Sequence, residues 1–256
     1  MNDLIIETDI LMNIEIYKDG DHLARELAEW ITSLIEETLR HKEQFSLVLS
    51  GGNTPKKLNH ILAASPYKER IDWKKIYIFW GDERAVPLTD ERNNARMAFD
   101  TLLDKVAIPK EQIYIMDTSL SPDAAAMQYE EILNEYFGTD ILPAKTFDLV
   151  LLGMGDDGHT LSLFPGTPVI HEEKSWVVGY YLKAQDMARI TLTKKIVNHA
   201  DHIVFMISGS DKAHALYEVI EGERNPDLYP SQVIIPTQGE LHFFVDEAAA
   251  SELKAR

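Results

Sequence analysis

The chain has 256 residues, 45% hydrophobic and 26% charged, enough apolar material for a full core without staples. It contains no cysteine, which excludes a disulfide framework, thiolate catalysis, zinc–cysteine sites and iron–sulfur clusters. With 25 basic residues against 42 acidic ones, the formal net charge is -17, so nucleic acid and anionic membrane are poor candidates for the main partner; a small anion can bind only where positive charge is concentrated.

No stretch reaches the ~18 uninterrupted apolar residues of a membrane span. The start, Met1 to Glu7, is acidic and has no basic segment ahead of an apolar run, so no secretory leader is expected and the cytoplasm is the expected compartment. Asp3, Glu7 and Asp9 read as a solvated acidic tail.

Short apolar runs rich in β-branched and aromatic residues alternate with amphipathic stretches. A strand is predicted at Ile14–Tyr17, then a helix over Asp21–Lys42 with apolar residues at helical spacing and Asp21 as its cap. The next strand, Phe45–Leu49, runs into Ser50-Gly51-Gly52-Asn53-Thr54-Pro55. Two glycines, a cap residue and a proline at a first helical position make a turn whose free N–H groups can cradle a phosphate through Gly51, Gly52, Asn53 and Thr54. The same residues also suit a plain strand-to-helix turn. Neither the Walker A nor the G-x-G-x-x-G spacing is present.

A strand at Ile76–Trp80 is followed by Gly81-Asp82-Glu83-Arg84, read as a charged loop at a strand's C-terminal end. Ligands bind there in open α/β sheets, and Arg84 suits a carboxylate, phosphate or sugar oxygen. Further strands are predicted at Ile113–Met116 and Phe147–Leu152, with a helix over Pro122–Phe137 between them, capped by Ser121 and stopped by Gly138. After Leu152 comes the densest segment, Gly153-Met154-Gly155-Asp156-Asp157-Gly158-His159-Thr160. An imidazole is a competent base near neutral pH, and Asp157 is close enough in sequence to orient His159.

The remaining strands are Ile190–Leu192, Ile203–Ile207 and Leu241–Val245. Arg189 leads into the first, and Lys212 follows the second at a helix start; both can complete a phosphate site, and their spacing equally suits solvated charges. His199-Ala200-Asp201-His202 has metal-like residues but straddles an element boundary, and reads as structural. The alternation predicts one α/β domain over residues 1–256, a three-layer α/β/α arrangement with a mainly parallel, Rossmann-like sheet, and some elaboration around 165–188.

Taken in order, these segments resemble the glucosamine-6-phosphate isomerase/6-phosphogluconolactonase family, and its lactonase branch in particular. The resemblance rests on Ser50 to Pro55; Trp80 to Pro87 with Asn93-Asn94; Gly153 to Thr160 with Ser162-Leu163-Phe164-Pro165-Gly166; Arg189 to Thr193; and Ser208 to Lys212. It implies the fold shared by glucosamine-6-phosphate deaminase and ribose-5-phosphate isomerase A, and hydrolysis of 6-phosphoglucono-1,5-lactone in the oxidative pentose phosphate pathway. His159, Asp157 and Arg84 are then the expected catalytic residues. Gly51, Gly52, Asn53, Thr54, Asp82, Arg189 and Lys212 are the expected substrate contacts. No metal or cofactor is expected, the partner is a small phosphorylated sugar lactone, and the protein is a monomer or homodimer. A deaminase-like enzyme and a non-catalytic sugar-phosphate sensor are the alternatives. The deaminase branch carries a catalytic Glu where this chain has Leu163-Phe164-Pro165.

Overall fold

A computed structural model describes residues 12–254. Asp3, Glu7 and Asp9 lie outside them. The chain forms β1 (Met12–Tyr17), α1 (Gly20–Thr38), β2 (Phe45–Leu49), α2 (Asn53–Leu62), a short α3 (Tyr67–Arg70) and β3 (Ile76–Trp80). It continues through β4 (Asp82–Arg84), α4 (Asn94–Thr101), α5 (Pro122–Phe137), β5 (Leu149–Leu152), β6 (Val177–Leu182) and β7 (Met187–Leu192). Then come α6 (Lys194–Val197), β8 (His202–Ile207), α7 (Ala213–Ile220) and β9 (Glu240–Asp246).

Six strands pair in the order β1-β9-β8-β5-β2-β3, and every pair is parallel. All residues of β2 and β5 are buried, as expected for strands covered on both faces. Trp30 of α1 packs on His242 and Phe244 on one face of β9. On the opposite face, Val219 of α7 shares a hollow with Leu241 and Phe243. This is the three-layer α/β/α arrangement with a mainly parallel sheet that the sequence pattern predicts. Among the described residues, no helix is long and apolar enough to cross a membrane.

The long helices follow their sequence signals closely. In α1 the buried residues Leu23, Leu27, Ile31 and Ile35 form one stripe at helical spacing. Helix α5 has the expected limits: Ser121 accepts from Ala124 N–H, and Gly138 closes it in the left-handed conformation at φ 68°. The cap of α1 is Asp19 rather than Asp21, because the Asp19 carboxylate accepts from the N–H groups of Asp21 and His22. That helix also ends at Thr38, short of Lys42, whose ammonium instead reaches Asp148 at 2.5 Å and Asp201 at 3.1 Å. Strand β5 begins at Leu149, not Phe147; Asp148 accepts from the backbone and hydroxyl of Ser46.

Two predicted strands are corrected. Ile113–Met116 forms no strand: Ile113 makes a single bridge to Ile78 at the sheet edge, and a turn at Asp117 follows. Ile190–Leu192 does belong to a strand, β7, but in a separate antiparallel sheet ordered β4-β7-β6. The chain doubles back between β6 and β7 through Asp186, at φ 48°. The 165–188 segment therefore supplies a short helical turn at Pro168–His171 and most of the β6–β7 hairpin.

Candidate active site

β2 and β5 are neighbours, yet the chain leaves them in opposite directions, from β2 to β3 on one side and from β5 to β8 on the other. At such a switch point the outgoing loops part and leave a crevice at the C-terminal ends of the strands. Here the crevice holds about 250 Å³, with Gly51 and Gly52 on one wall and Gly153 and Gly155 on the other.

The turn after β2 is tighter than its sequence suggests. Helix α2 starts at Asn53, with Gly52 as the cap at φ 108°, so Pro55 sits at the third helical position rather than the first. The first helical hydrogen bond runs from Lys56 N–H to Gly52 C=O. The N–H groups of Asn53 and Thr54 therefore have no acceptor within the helix and remain free for an anion. Their side chains do not line the crevice. Gly51 has to be glycine, because a Cβ there would overlap the Asn94 carboxamide, which donates to Asp82 C=O at 2.9 Å.

Asp82-Glu83-Arg84 is a strand rather than a loop. β4 pairs with β7 so that Asp82 faces Thr191, and Arg84 faces Arg189 directly. Alternation puts Asp82, Arg84, Arg189 and Thr191 on one side and Glu83 on the other. Two arginines directly opposed on antiparallel strands repel, an arrangement that an anion between them relieves. The Nε–H groups of both are buried without a hydrogen-bond partner. Arg84 otherwise donates to Arg92 C=O at 2.8 Å, and Arg189 to the Gln185 side chain. Arg189 is only 4% exposed; burial lowers its guanidinium from the ordinary range, Asp82 at 3.9 Å opposes that, and Arg84 adds to it.

Asp82 is held by Ser162, whose hydroxyl donates to it at 2.6 Å. Glu83, on the reverse side, accepts three backbone N–H bonds, from Arg84, Asn94 and Ala95, and anchors the start of α4. Burial raises its carboxyl to about 7 against those three bonds.

The segment after β5 folds back on itself. Asp157 accepts from His159 twice: from the backbone N–H at 3.0 Å and from the ring Nδ1–H at 2.5 Å. Burial works against the Asp157 carboxylate, but the bonds and charge of His159 outweigh it and hold the carboxyl below its usual range. With Nδ1 as donor to an ionised carboxylate, the neutral form of the ring carries its lone pair on Nε2. Gly155 must lack a side chain, since a Cβ would overlap both His159 Nδ1 and Asp157. Phe164 stacks on the other side of His159, ring centroids 4.0 Å apart, and the Arg189 guanidinium lies 5.4 Å from the same Phe164 ring.

Lys212 lies at a helix start, as expected. It closes a single helical turn, Ser210–Lys212, that leads into α7, and its side chain reaches the crevice. Asp246 positions this turn by accepting from the Ser208 hydroxyl and from Gly209 N–H.

The lining thus brings together Gly51, Gly52, Asp82, Arg84, His159, Arg189 and Lys212, with Asp157 behind the histidine. Other residues to which the sequence reading assigned no role also face the crevice, among them Asn94, Phe164 and Gln185. Asn94 and Phe164 stand inside quoted motifs, but Gln185 lies in the β6–β7 turn and has no sequence signal of its own. A larger hollow, about 510 Å³ between α5 and β6, is lined by Asp123, Glu130, Glu131 and Glu172 with no basic residue, the wrong sign for a phosphorylated ligand.

Residues 18–243 match the family model of the glucosamine-6-phosphate isomerases/6-phosphogluconolactonases. The chain belongs to this family. It is 37% identical over 250 residues to a protein of Synechocystis sp. named 6-phosphogluconolactonase, covering 97% of this chain and 98% of that one. Among solved structures, the 6-phosphogluconolactonase from Trypanosoma cruzi superposes with a TM-score of 0.83 at 27% identity, over 94% of this chain and 97% of that one. A monomeric glucosamine-6-phosphate deaminase shares the fold, with a TM-score of 0.79 at 21% identity over 94% of this chain and 99% of that one.

Proposed function

We propose that this family member is a 6-phosphogluconolactonase, opening 6-phosphoglucono-1,5-lactone to 6-phosphogluconate in the oxidative pentose phosphate pathway. One observation carries the reading. His159 is paired through Nδ1 with Asp157 beside a crevice walled by Arg84, Arg189 and Lys212, and the neighbouring Phe164 leaves no carboxylate in that place.

Asp157 fixes the tautomer of His159, so Nε2 accepts a proton from water as the water oxygen attacks the lactone carbonyl carbon. The carbonyl oxygen becomes an oxyanion, and a fixed guanidinium at Arg84 stabilises that charge more than the neutral ground state. The tetrahedral intermediate collapses by breaking the bond from the carbonyl carbon to the ring oxygen. The ring oxygen takes the proton back from Nε2 and leaves as the C5 hydroxyl, and the new carboxylic acid ionises into solvent. In this reading Asp82, whose carboxylate accepts from the Ser162 hydroxyl, binds sugar hydroxyls or holds Arg84. The phosphate is held by the N–H groups of Gly51, Gly52, Asn53 and Thr54, with Arg189 and Lys212 supplying charge. The step as written uses no metal and no cofactor.

Deamination of glucosamine 6-phosphate also requires ring opening and a proton shift between carbons, and the aromatic Phe164 cannot transfer that proton. Purified protein should therefore hydrolyse freshly made lactone well above the spontaneous rate and release no ammonia from glucosamine 6-phosphate. Ammonia release would favour the deaminase. Binding of 6-phosphogluconate without either activity would favour a sensor.

A further inference from the structure

The end of the sheet opposite the crevice holds a second group of chemistry-bearing side chains. His202 opens β8, and Glu240, which opens β9, is its register partner. His242 lies two residues beyond Glu240 and so on the same face, where Trp30 of α1 packs at 4.9 Å from its ring. Sequence reading paired His202 with His199, but His199 turns away to Ala144 C=O.

Three atoms converge at one point. Glu240 Oε2 lies 3.2 Å from His242 Nε2 and 3.9 Å from His202 Nδ1. No two of the three ligand atoms are more than 4.8 Å apart. Two ligands held tetrahedrally at zinc distances stand about 3.3 Å from each other, so small side-chain rotations bring all three into a coordination sphere. Both imidazole nitrogens are buried and without a hydrogen-bond partner, and the His242 side chain is only 6% exposed. Buried polar atoms are ordinarily satisfied, and here both nitrogens face one carboxylate oxygen without hydrogen-bond geometry, an arrangement that an ion accepting both lone pairs would satisfy. A hollow of about 410 Å³, lined in part by His202 and Glu240, gives entry and room for a water at the fourth position.

We propose that His202, Glu240 and His242 bind one divalent transition-metal ion of the zinc class, which bridges β8 and β9 at their N-terminal ends. Two imidazoles and one carboxylate are the donor types such an ion takes, and they are poor for calcium or magnesium, which prefer all-oxygen shells. β9 runs seven residues from Glu240 to Asp246, so the ion sits about 20 Å from the crevice end of the strand. It fastens the sheet and takes no part in hydrolysis.

The test uses full-length protein stripped by chelation and titrated with zinc chloride in a calorimeter, with thermal melts alongside and Co²⁺ as a spectroscopic substitute. One Zn²⁺ per chain is expected, with a melting temperature that rises with zinc. Cobalt should show the visible bands of a four- or five-coordinate site. Glu240→Gln, a change of nearly equal shape at a half-exposed side chain, should weaken zinc binding at least 10-fold and abolish those bands; His242→Gln should do the same if it folds. No saturable binding, a melting temperature indifferent to zinc, or wild-type affinity in Glu240→Gln would each overturn the proposal. None of these readouts involves the lactone, so the result stands apart from that of the lactonase reading.

Discussion

At the scale of single residues the site turns on the Asp157–His159 contact and the small residue behind it. Asp157→Ala frees the imidazole to take either tautomer, so kcat should fall by about 10-fold or more while 6-phosphogluconate binding persists; a kcat equal to wild type would show that Asp157 does not set the tautomer. Gly155→Ala drives a methyl group into His159 Nδ1 and Asp157. Displacing a catalytic group by about 1 Å costs on the order of 10²-fold, and that loss should appear in kcat with the melting temperature little changed. Arg189→Ala removes a charge-assisted contact of about 1.5–3 kcal/mol, so the dissociation constant for 6-phosphogluconate should rise roughly 10- to 100-fold by calorimetry. Gly155, Asp157 and His159 were legible because they sit in a glycine-rich motif at a strand end, and Arg189 as a cation leading into an apolar run. Gln185 was not, because its place in the crevice depends on how the β6–β7 hairpin folds over it. Nor was the convergence of His202 with Glu240 and His242, which register between β8 and β9 creates and no spacing encodes.

At the scale of elements, legibility follows burial. β2, β3 and β5 are apolar almost throughout because they are covered on both faces, so composition alone finds them. β4 reads Asp-Glu-Arg, since one face lines the crevice and the other caps α4, and its charges disguise it as a loop. Ile113–Met116 has the composition of a strand but only one bridge to an edge, which composition cannot distinguish. Two outcomes test this level. Gly179 of β6 lies so close to the start of α5 that a Cβ would overlap Pro122 C=O. Gly179→Ala should therefore lower stability by about 1–3 kcal/mol, read in denaturant unfolding; an unchanged midpoint would contradict that close approach. Glu83 gives a pH signature. Its folded-state carboxyl is raised to about 7 from an ordinary 4.5, so the folded chain holds its proton more tightly than the unfolded one. The stability it contributes is complete below pH 4.5 and lost as pH rises through 7, on the order of 3 kcal/mol. Glu83→Gln cannot ionise, so its stability difference from wild type should vary over that window; a constant difference would contradict the raised carboxyl.

At the scale of the whole molecule, a chain of net charge -17 concentrates Arg84, Arg189 and Lys212 around one crevice at a switch point of its sheet. The sequence foretold the parallel sheet through its alternation of apolar runs and amphipathic stretches. It did not foretell the second, antiparallel sheet, because β4 is charged throughout and meets β7 and β6 only in three dimensions. The proposed hydrolysis and the proposed metal site lie at opposite ends of the main sheet. Exhaustive chelation should accordingly leave lactone hydrolysis intact even where it lowers the melting temperature; activity lost on chelation and restored by one metal would contradict the metal-free step. The most direct measurement is hydrolysis of freshly made 6-phosphoglucono-1,5-lactone by His159→Ala, corrected for spontaneous opening, with 6-phosphogluconate binding measured on the same sample. Loss of the base should cut kcat by about 10²–10⁴-fold while product binding and fold persist; a near-wild-type kcat would contradict His159 as the group that activates water.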